Sequence, residues 1–168
     1  MRHIYWLFFL LFVLSCTGST SSKMSRTNQQ WLERHVSANT STQMEKGSTY
    51  LSIYSEINSF DQDTKHGLTV TVSMRNIYDV DTLYISGIKS YDSGGELLHD
   101  YLDHDIYLKP LETMEIIIDE EDEYGGTGGN FIFDWYASPA KEPLFEAVMI
   151  RTSGQQGISF TTTGIRRD

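Results

Sequence analysis

Two clusters of ionisable side chains are the first places where this sequence could do chemistry. Asp119, Glu120, Glu121, Asp122 and Glu123 stand side by side. Adjacent carboxylates repel one another and resist ionising unless a cation neutralises them, and calcium, which takes several oxygen ligands, suits that role. The run lacks the spaced D-x-D-x-D-G order of an EF-hand loop, so a solvated acidic loop is the plainer expectation. His99 and His104 flank Asp100, Asp103 and Asp105. A zinc or copper site can be drawn from them, but their spacing matches no short metal-binding motif. No cofactor is implied by either cluster.

Other constellations are weaker. Tyr124-Gly-Gly-Thr-Gly-Gly129 would let the backbone turn tightly, but no Lys-Ser/Thr follows it and the chain continues into an apparent strand. This is neither a phosphate-binding loop nor a dinucleotide fingerprint. No G-x-S-x-G elbow is present. A hydrolase would require the fold to bring His99 or His104 beside Asp and Ser groups. Gln155 and Gln156, between Gly154 and Gly157, offer paired amides that can satisfy backbone groups in a hairpin or contact a peptide, glycan or polar headgroup.

The single cysteine, Cys16, cannot close an intramolecular disulfide. It follows Arg2, His3 and an unbroken apolar run of eleven residues, Ile4 to Leu14. As a helix that run rises about 16 Å against a hydrocarbon core of roughly 30 Å, too short to span. The layout is that of a signal peptide, and Val13-Leu14-Ser15-Cys16 resembles a bacterial lipobox. Residues 1–15 are therefore expected to be removed, leaving Cys16 to carry lipid and residues 16–47 to form a polar tether. Within the tether, Trp31, Leu32 and His35 have near-helical spacing, consistent with a short docking helix or with a plain linker. Thr17 after the cysteine, rather than Asp, leans towards the outer membrane by the sorting pattern of Gram-negative lipoproteins.

The elements that must hold these groups follow from periodicity. The chain has 168 residues with 39% hydrophobic and 21% charged, fitting one foldable domain, expected over 48–168. Leu68, Val70, Val72 and Met74 alternate with Thr69, Thr71, Ser73 and Arg75, the pattern of a half-buried antiparallel strand. Residues 50–57 show Leu51, Ile53 and Ile57 on one face, with Ser55 interrupting. Further strands are expected over 81–91, on either side of a Gly94-Gly95 hairpin, and through Met114, Ile116 and Ile118. Phe131, Phe133 and Trp135, the stretch 144–151, and Ile158 with Phe160 supply the rest. The expected fold is all-β, an antiparallel β-sandwich immunoglobulin-like in general architecture, with a small β-barrel as the alternative.

YSEI, LTVTVSMRN, ISGIKSYDSGGELL, GGTGGNFIFDW and EAVMIRTSGQQGISFTTTG occur in that order between Tyr50 and Gly164. In these runs the chain resembles the DUF3124 family of uncharacterised bacterial secreted or lipid-anchored proteins. The resemblance implies a common fold and a shared surface around Asn76, Tyr91, Asp92, Gly128, Gly129, Asn130, Gly154, Gln155, Gln156 and Gly157. It transfers no catalytic residue.

A formal charge of −10 gives no footprint for nucleic acid. Loss of residues 1–15, which contain one basic and no acidic side chain, would bring it to −11. Such a body is repelled by anionic lipid, so an acylated Cys16 would have to supply the attachment. The expected function is that of a non-catalytic cell-envelope lipoprotein, outer membrane favoured over inner. Its domain would bind an envelope protein, peptide or polymer. A divalent-cation-dependent module and a hydrolase with an unrecognised site are the alternatives.

Overall fold

The computed structural model describes residues 34, 36, 43–121, 125–152 and 157–168. Strands β1 (Glu45–Ser52), β2 (Glu56–Ser59), β3 (Asp61–Gly67), β4 (Thr69–Arg75), β5 (Leu83–Tyr91) and β6 (Leu97–Asp100) form the first half. The second half contains β7 (Ile106–Leu108), β8 (Thr113–Ile118), β9 (Asn130–Ala137), β10 (Leu144–Arg151), β11 (Ile158–Thr163) and β12 (Ile165–Arg166). The only helical turn among the described residues is the three-residue 3-10 segment Gly126–Gly128, so none is long and apolar enough to cross a membrane.

Among the described residues all pairings are antiparallel and make three sheets. The largest runs β12-β1-β9-β5-β6, with β7 also on β5; the second runs β11-β10-β4-β8; β2 and β3 form a separate hairpin. Among the described residues no sheet closes on itself, so the small β-barrel is not formed. The fold is all-β, as the alternation demanded.

Side chains from both larger sheets enter one apolar cluster. Leu68, Val70, Val72 and Met74 are completely buried, as are Phe131 and Phe133; their alternating neighbours are half-buried, except Ser73, which is buried beside Glu115. Phe133 of β9 stacks on Phe145 of β10 with ring centroids 4.2 Å apart, and on Phe131 at 5.6 Å. Trp135, in the same row, is 1% exposed, and its indole N–H donates to Thr49 Oγ1 at 3.0 Å. That bond removes the cost of burying a donor without a partner. Gly47 lies directly across from Trp135 on β1, and a Cβ there would sit 2.3 Å from Trp135 Cζ2. The absent side chain at 47 is the space the indole occupies.

The expected strand over residues 50–57 is two strands. Ser55, the residue that breaks the alternation, is 1% exposed and marks where the chain leaves the largest sheet to enter the β2–β3 hairpin. Its carbonyl accepts Leu68 N–H at 2.8 Å, closing the excursion just before β4. At the C-terminus the chain crosses between the larger sheets, from β11 to β12, at Gly164. Gly164 N–H donates to Phe145 O at 2.8 Å, and a Cβ there would meet Thr49 Cγ2 at 2.7 Å.

Gly47→Ala is expected to destabilise the fold by about 1–3 kcal/mol through overpacking against Trp135. Phe133→Ala is expected to cost about 3–5 kcal/mol through loss of the ring between the sheets. Urea unfolding followed by tryptophan fluorescence measures both, and the prediction fails if Gly47→Ala unfolds at the same midpoint as the parent chain.

Candidate functional site

The strand ends sort the loops into two groups. Ser52, Thr69, Tyr91, Ile118, Asn130, Arg151 and Ile158 all lie towards one end of the larger sheets, as their registers and connections require. The opposite end holds Glu45, the turn 76–82, the β7–β8 turn and the loop 138–143. The first will be called the turn end and the second the entry end.

At the turn end, Tyr91 and Asn130 face each other on neighbouring strands β5 and β9. Beyond Tyr91 the chain makes a hairpin turn built by Asp92. Its Oδ1 accepts the backbone N–H groups of Gly94 and Glu96, both at 2.8 Å. Gly95, at φ 84°, takes the left-handed conformation this turn needs. Beside it runs Gly125–Gly129, held by two serines. Ser93 Oγ donates to Gly125 O at 2.8 Å and Ser55 Oγ donates to Gly126 O at 3.2 Å. Gly129 O accepts Ile53 N–H at 2.9 Å, and a Cβ at Gly129 would approach Gly125 Cα to 3.1 Å and Tyr91 O to 3.3 Å. Three segments distant in sequence are thereby fixed against one another. The exposed rim of this cluster is formed by Ser93, Gly94, Gly95, Glu96 and Gly128.

Tyr91, Asp92, Gly128, Gly129 and Asn130 lie close together at this end, but Gly129 is buried beneath the turn and offers no surface of its own. Gly157 is exposed at the start of β11, at the same end. Gly154, Gln155 and Gln156 lie outside the described residues, as do Cys16, the segment over 28–33 and His35. Asn76 is a correction. It is 3% exposed and sits at the entry end, so it forms no surface with the others. Its Nδ2 donates to Asp81 O at 2.6 Å, Lys109 O at 3.0 Å and Leu108 O at 3.2 Å, while Oδ1 accepts Tyr78 N–H at 3.0 Å. The amide satisfies the carbonyls of two converging loops, which is a structural duty.

Of the acidic run, Asp119, Glu120 and Glu121 are described and exposed; Asp122 and Glu123 lie outside the described residues. Glu120 Oε1 is 3.9 Å from Arg151 Nε, linking the run to the end of β10. The histidine cluster is dispersed among separate partners. His104 pairs with Asp103, Asp100 lies 3.8 Å from Lys89 Nζ, and Asp105 accepts the Tyr136 hydroxyl at 3.0 Å. Burial, reinforced by that bond to Asp105, pushes the Tyr136 phenol well above its usual range. Among the described residues no group of three or more His, Cys, Asp or Glu side chains is placed to hold a metal ion. Ser55 and Ser93 both donate to backbone carbonyls, which makes them staples of the turn.

The entry end carries an ion pair that sequence reasoning missed. Arg34 Nη1 and Nη2 donate to the two carboxylate oxygens of Glu112, each at 2.8 Å, and the guanidinium lies 5.4 Å over the Tyr107 ring. Glu112 also accepts Lys109 N–H at 2.8 Å. The Arg34 guanidinium, followed by the Lys109 N–H bond, holds the Glu112 carboxyl below the usual carboxylate range despite partial burial. No local pattern marks this contact, because the two residues are separated by 78 positions.

Two predictions follow from these contacts. Ser55→Ala and Ser93→Ala each leave a glycine carbonyl short of a donor and should cost about 1 kcal/mol while speeding amide exchange over 125–129. Unchanged exchange there would contradict the stapling role. For Glu112, a folded pKa below the unfolded value means stabilisation is complete above about pH 4.5 and fades as pH falls through the folded value. Arg34→Gln should therefore lower stability by about 1 kcal/mol at pH 7, with the difference from the parent shrinking below pH 4. Thermal unfolding across pH 3–7 checks this; a pH-independent difference would refute it.

A family model described as "Protein of unknown function (DUF3124)" matches residues 46–166. The chain belongs to that family. A solved structure described as the crystal structure of Thermotoga maritima 1070 is similar at 11% identity and a TM-score of 0.46, over 71% of this chain and 92% of that one. No curated protein matches the chain.

Proposed function

For a member of the DUF3124 family built in this way, we propose a non-catalytic, lipid-anchored envelope protein that presents a binding surface at its turn end. The two larger sheets are read as a β-sandwich, immunoglobulin-like in general architecture, because their apolar faces share one core. Cys16 is read as the acylated residue, with signal cleavage before it and the outer membrane favoured. The sequence carries that part: a short apolar leader, a lipobox-like tetrapeptide and a single cysteine.

One observation supports the direction of presentation. β1 starts at Glu45, paired with Ala137, at the entry end, and Arg34 docks on Glu112 at that same end. β1 then runs eight residues to the turn end, a distance of about 25 Å at the usual rise of a strand. A chain tethered through its N-terminal side thus holds the Tyr91–Glu96 and Gly125–Asn130 turns away from the point of attachment. Stapled turns on a rigid β scaffold suit recognition, since they lose little freedom on binding. The partner class is an envelope protein, peptide or polymer.

Labelling cells with radioactive palmitate tests the anchor. The parent chain should be labelled and membrane-bound, and Cys16→Ala should be unlabelled and released; an unlabelled parent overturns the lipid reading. For the surface, charge reversal is compared at two exposed acidic positions, Glu96→Arg at the turn end and Asp79→Arg at the entry end. Species cross-linked to the full chain in membranes should be lost with the first and retained with the second. Equal retention in both variants removes the turn end as the binding surface.

A further inference from the structure

An exposed strand edge is a row of unpaired N–H and C=O groups, and proteins normally shorten, bend, charge or cover it. Most edges here are treated in that way. β12 has two residues and β7 three. β6 has four, with a bulge where it meets β5. β11 meets the segment after β1 through its side chains: Tyr54 packs edge-on against Phe160 at 5.7 Å, and Thr162 Oγ1 donates to Ser52 O at 2.6 Å. β3 carries Asp61, Asp63 and Lys65.

β8 is different. It is the outermost strand of the second sheet, and among the described residues only β4 pairs with it. Its sequence, Thr-Met-Glu-Ile-Ile-Ile, contains no proline, glycine or lysine, and its register with β4 is unbroken over six residues. Met114 and Ile116 face the core, while Thr113, Glu115 and Ile117 face outward, with Ile117 39% exposed. Ile117 sits in one cross-strand row with Thr71 and Val148, the last also exposed. Asp119, Glu120 and Glu121 continue directly from the strand and are exposed.

We propose that β8 accepts an extended segment of another polypeptide as an added strand, with apolar side chains alternating with lysine or arginine. The backbone groups of β8 supply the ladder. The incoming apolar residues extend the core beside Met114 and Ile116, and the incoming cations meet Glu115 and the carboxylates at 119–121. The formal charge of −10 on each copy opposes edge pairing of the chain with itself and favours a basic partner. This goes beyond the turn-end reading by adding a second surface, the β8 edge, with a stated partner chemistry. It is independent of Cys16 and of Glu96, so its failure is distinguishable from theirs.

The test uses the full chain in detergent with three synthetic octapeptides: alternating valine and lysine, alternating valine and glutamate, and the valine–lysine peptide with alternate amides N-methylated. Binding is followed by calorimetry and site by amide hydrogen exchange. The valine–lysine peptide should slow exchange within 113–118 by about tenfold and bind more weakly as salt rises, as screened ion pairs do. The glutamate and N-methylated peptides should bind at least about tenfold more weakly, for want of charge complementarity and of ladder hydrogen bonds respectively. Glu115→Lys, whose side chain points outward and whose fold is checked by circular dichroism, should narrow or invert the preference between the charged peptides. Equal binding of all three peptides, protection confined to other strands, or dimerisation through β8 in place of peptide binding would each overturn the proposal.

Discussion

The contact between Phe133 and Phe145 is the one on which the rest of the arrangement depends. The two larger sheets share no strand pairing among the described residues, so their relative position rests mainly on the side chains that interdigitate between them. Phe133 lies at the centre of that layer, stacked on Phe131 along its own strand and on Phe145 across the gap. Trp135 extends the row and demands a glycine opposite it, at Gly47. The same layer admits the chain at Gly164, where a side chain would collide with Thr49 and crowd Phe145, allowing β11 to hand over to β12. One aromatic row thus determines the sheet spacing and two of the places where glycine is obligatory.

With the sheets fixed, their ends acquire different characters. At the entry end, Asn76 and Glu112 gather loops by hydrogen bonding to backbone groups, and Glu112 also fastens Arg34. At the turn end, hydroxyl groups do the equivalent work: Ser55 and Ser93 each hold a glycine carbonyl. The first arrangement buries the Asn76 amide and half-buries the Arg34–Glu112 pair. The second leaves an exposed rim of small residues and Glu96 over a rigid base, which is why the binding reading rests there. β8, the outermost described strand of the second sheet, leads from the entry end to the turn end, and the acidic residues 119–121 follow it there.

Much of this was legible locally. The alternation at 68–75 and 131–135 translated directly into buried faces, because a strand sends successive side chains to opposite sides. The Gly94-Gly95 turn was legible for a similar reason, since few residues adopt its dihedral angles without strain. Ser55 was visible as an interruption, although the sequence did not disclose that its hydroxyl would reach Gly126. Asn76 misled, because an asparagine at the end of a strand has the same local signature whether it faces solvent or is buried under two loops. The β2–β3 hairpin was hidden as well: its polar composition carries no period, and only the bond from Leu68 to Ser55 O shows that the excursion is closed.

The sequence by itself determined that the domain is all-β, which faces of most strands are apolar, where its tight turns fall, and that its formal charge is −10. These are properties of neighbours along the chain, governed by side-chain alternation, backbone dihedral preference and charge count. Only the tertiary structure decided which loops share an end, which polar residue is a buried staple, and which strand stands outermost in its sheet among the described residues. Those outcomes depend on strand order and on pairings between residues far apart in sequence. The pairing of Arg34 with Glu112 and the outermost place of β8 in its sheet have no counterpart in any local pattern, because each exists only after the sheets have chosen their neighbours.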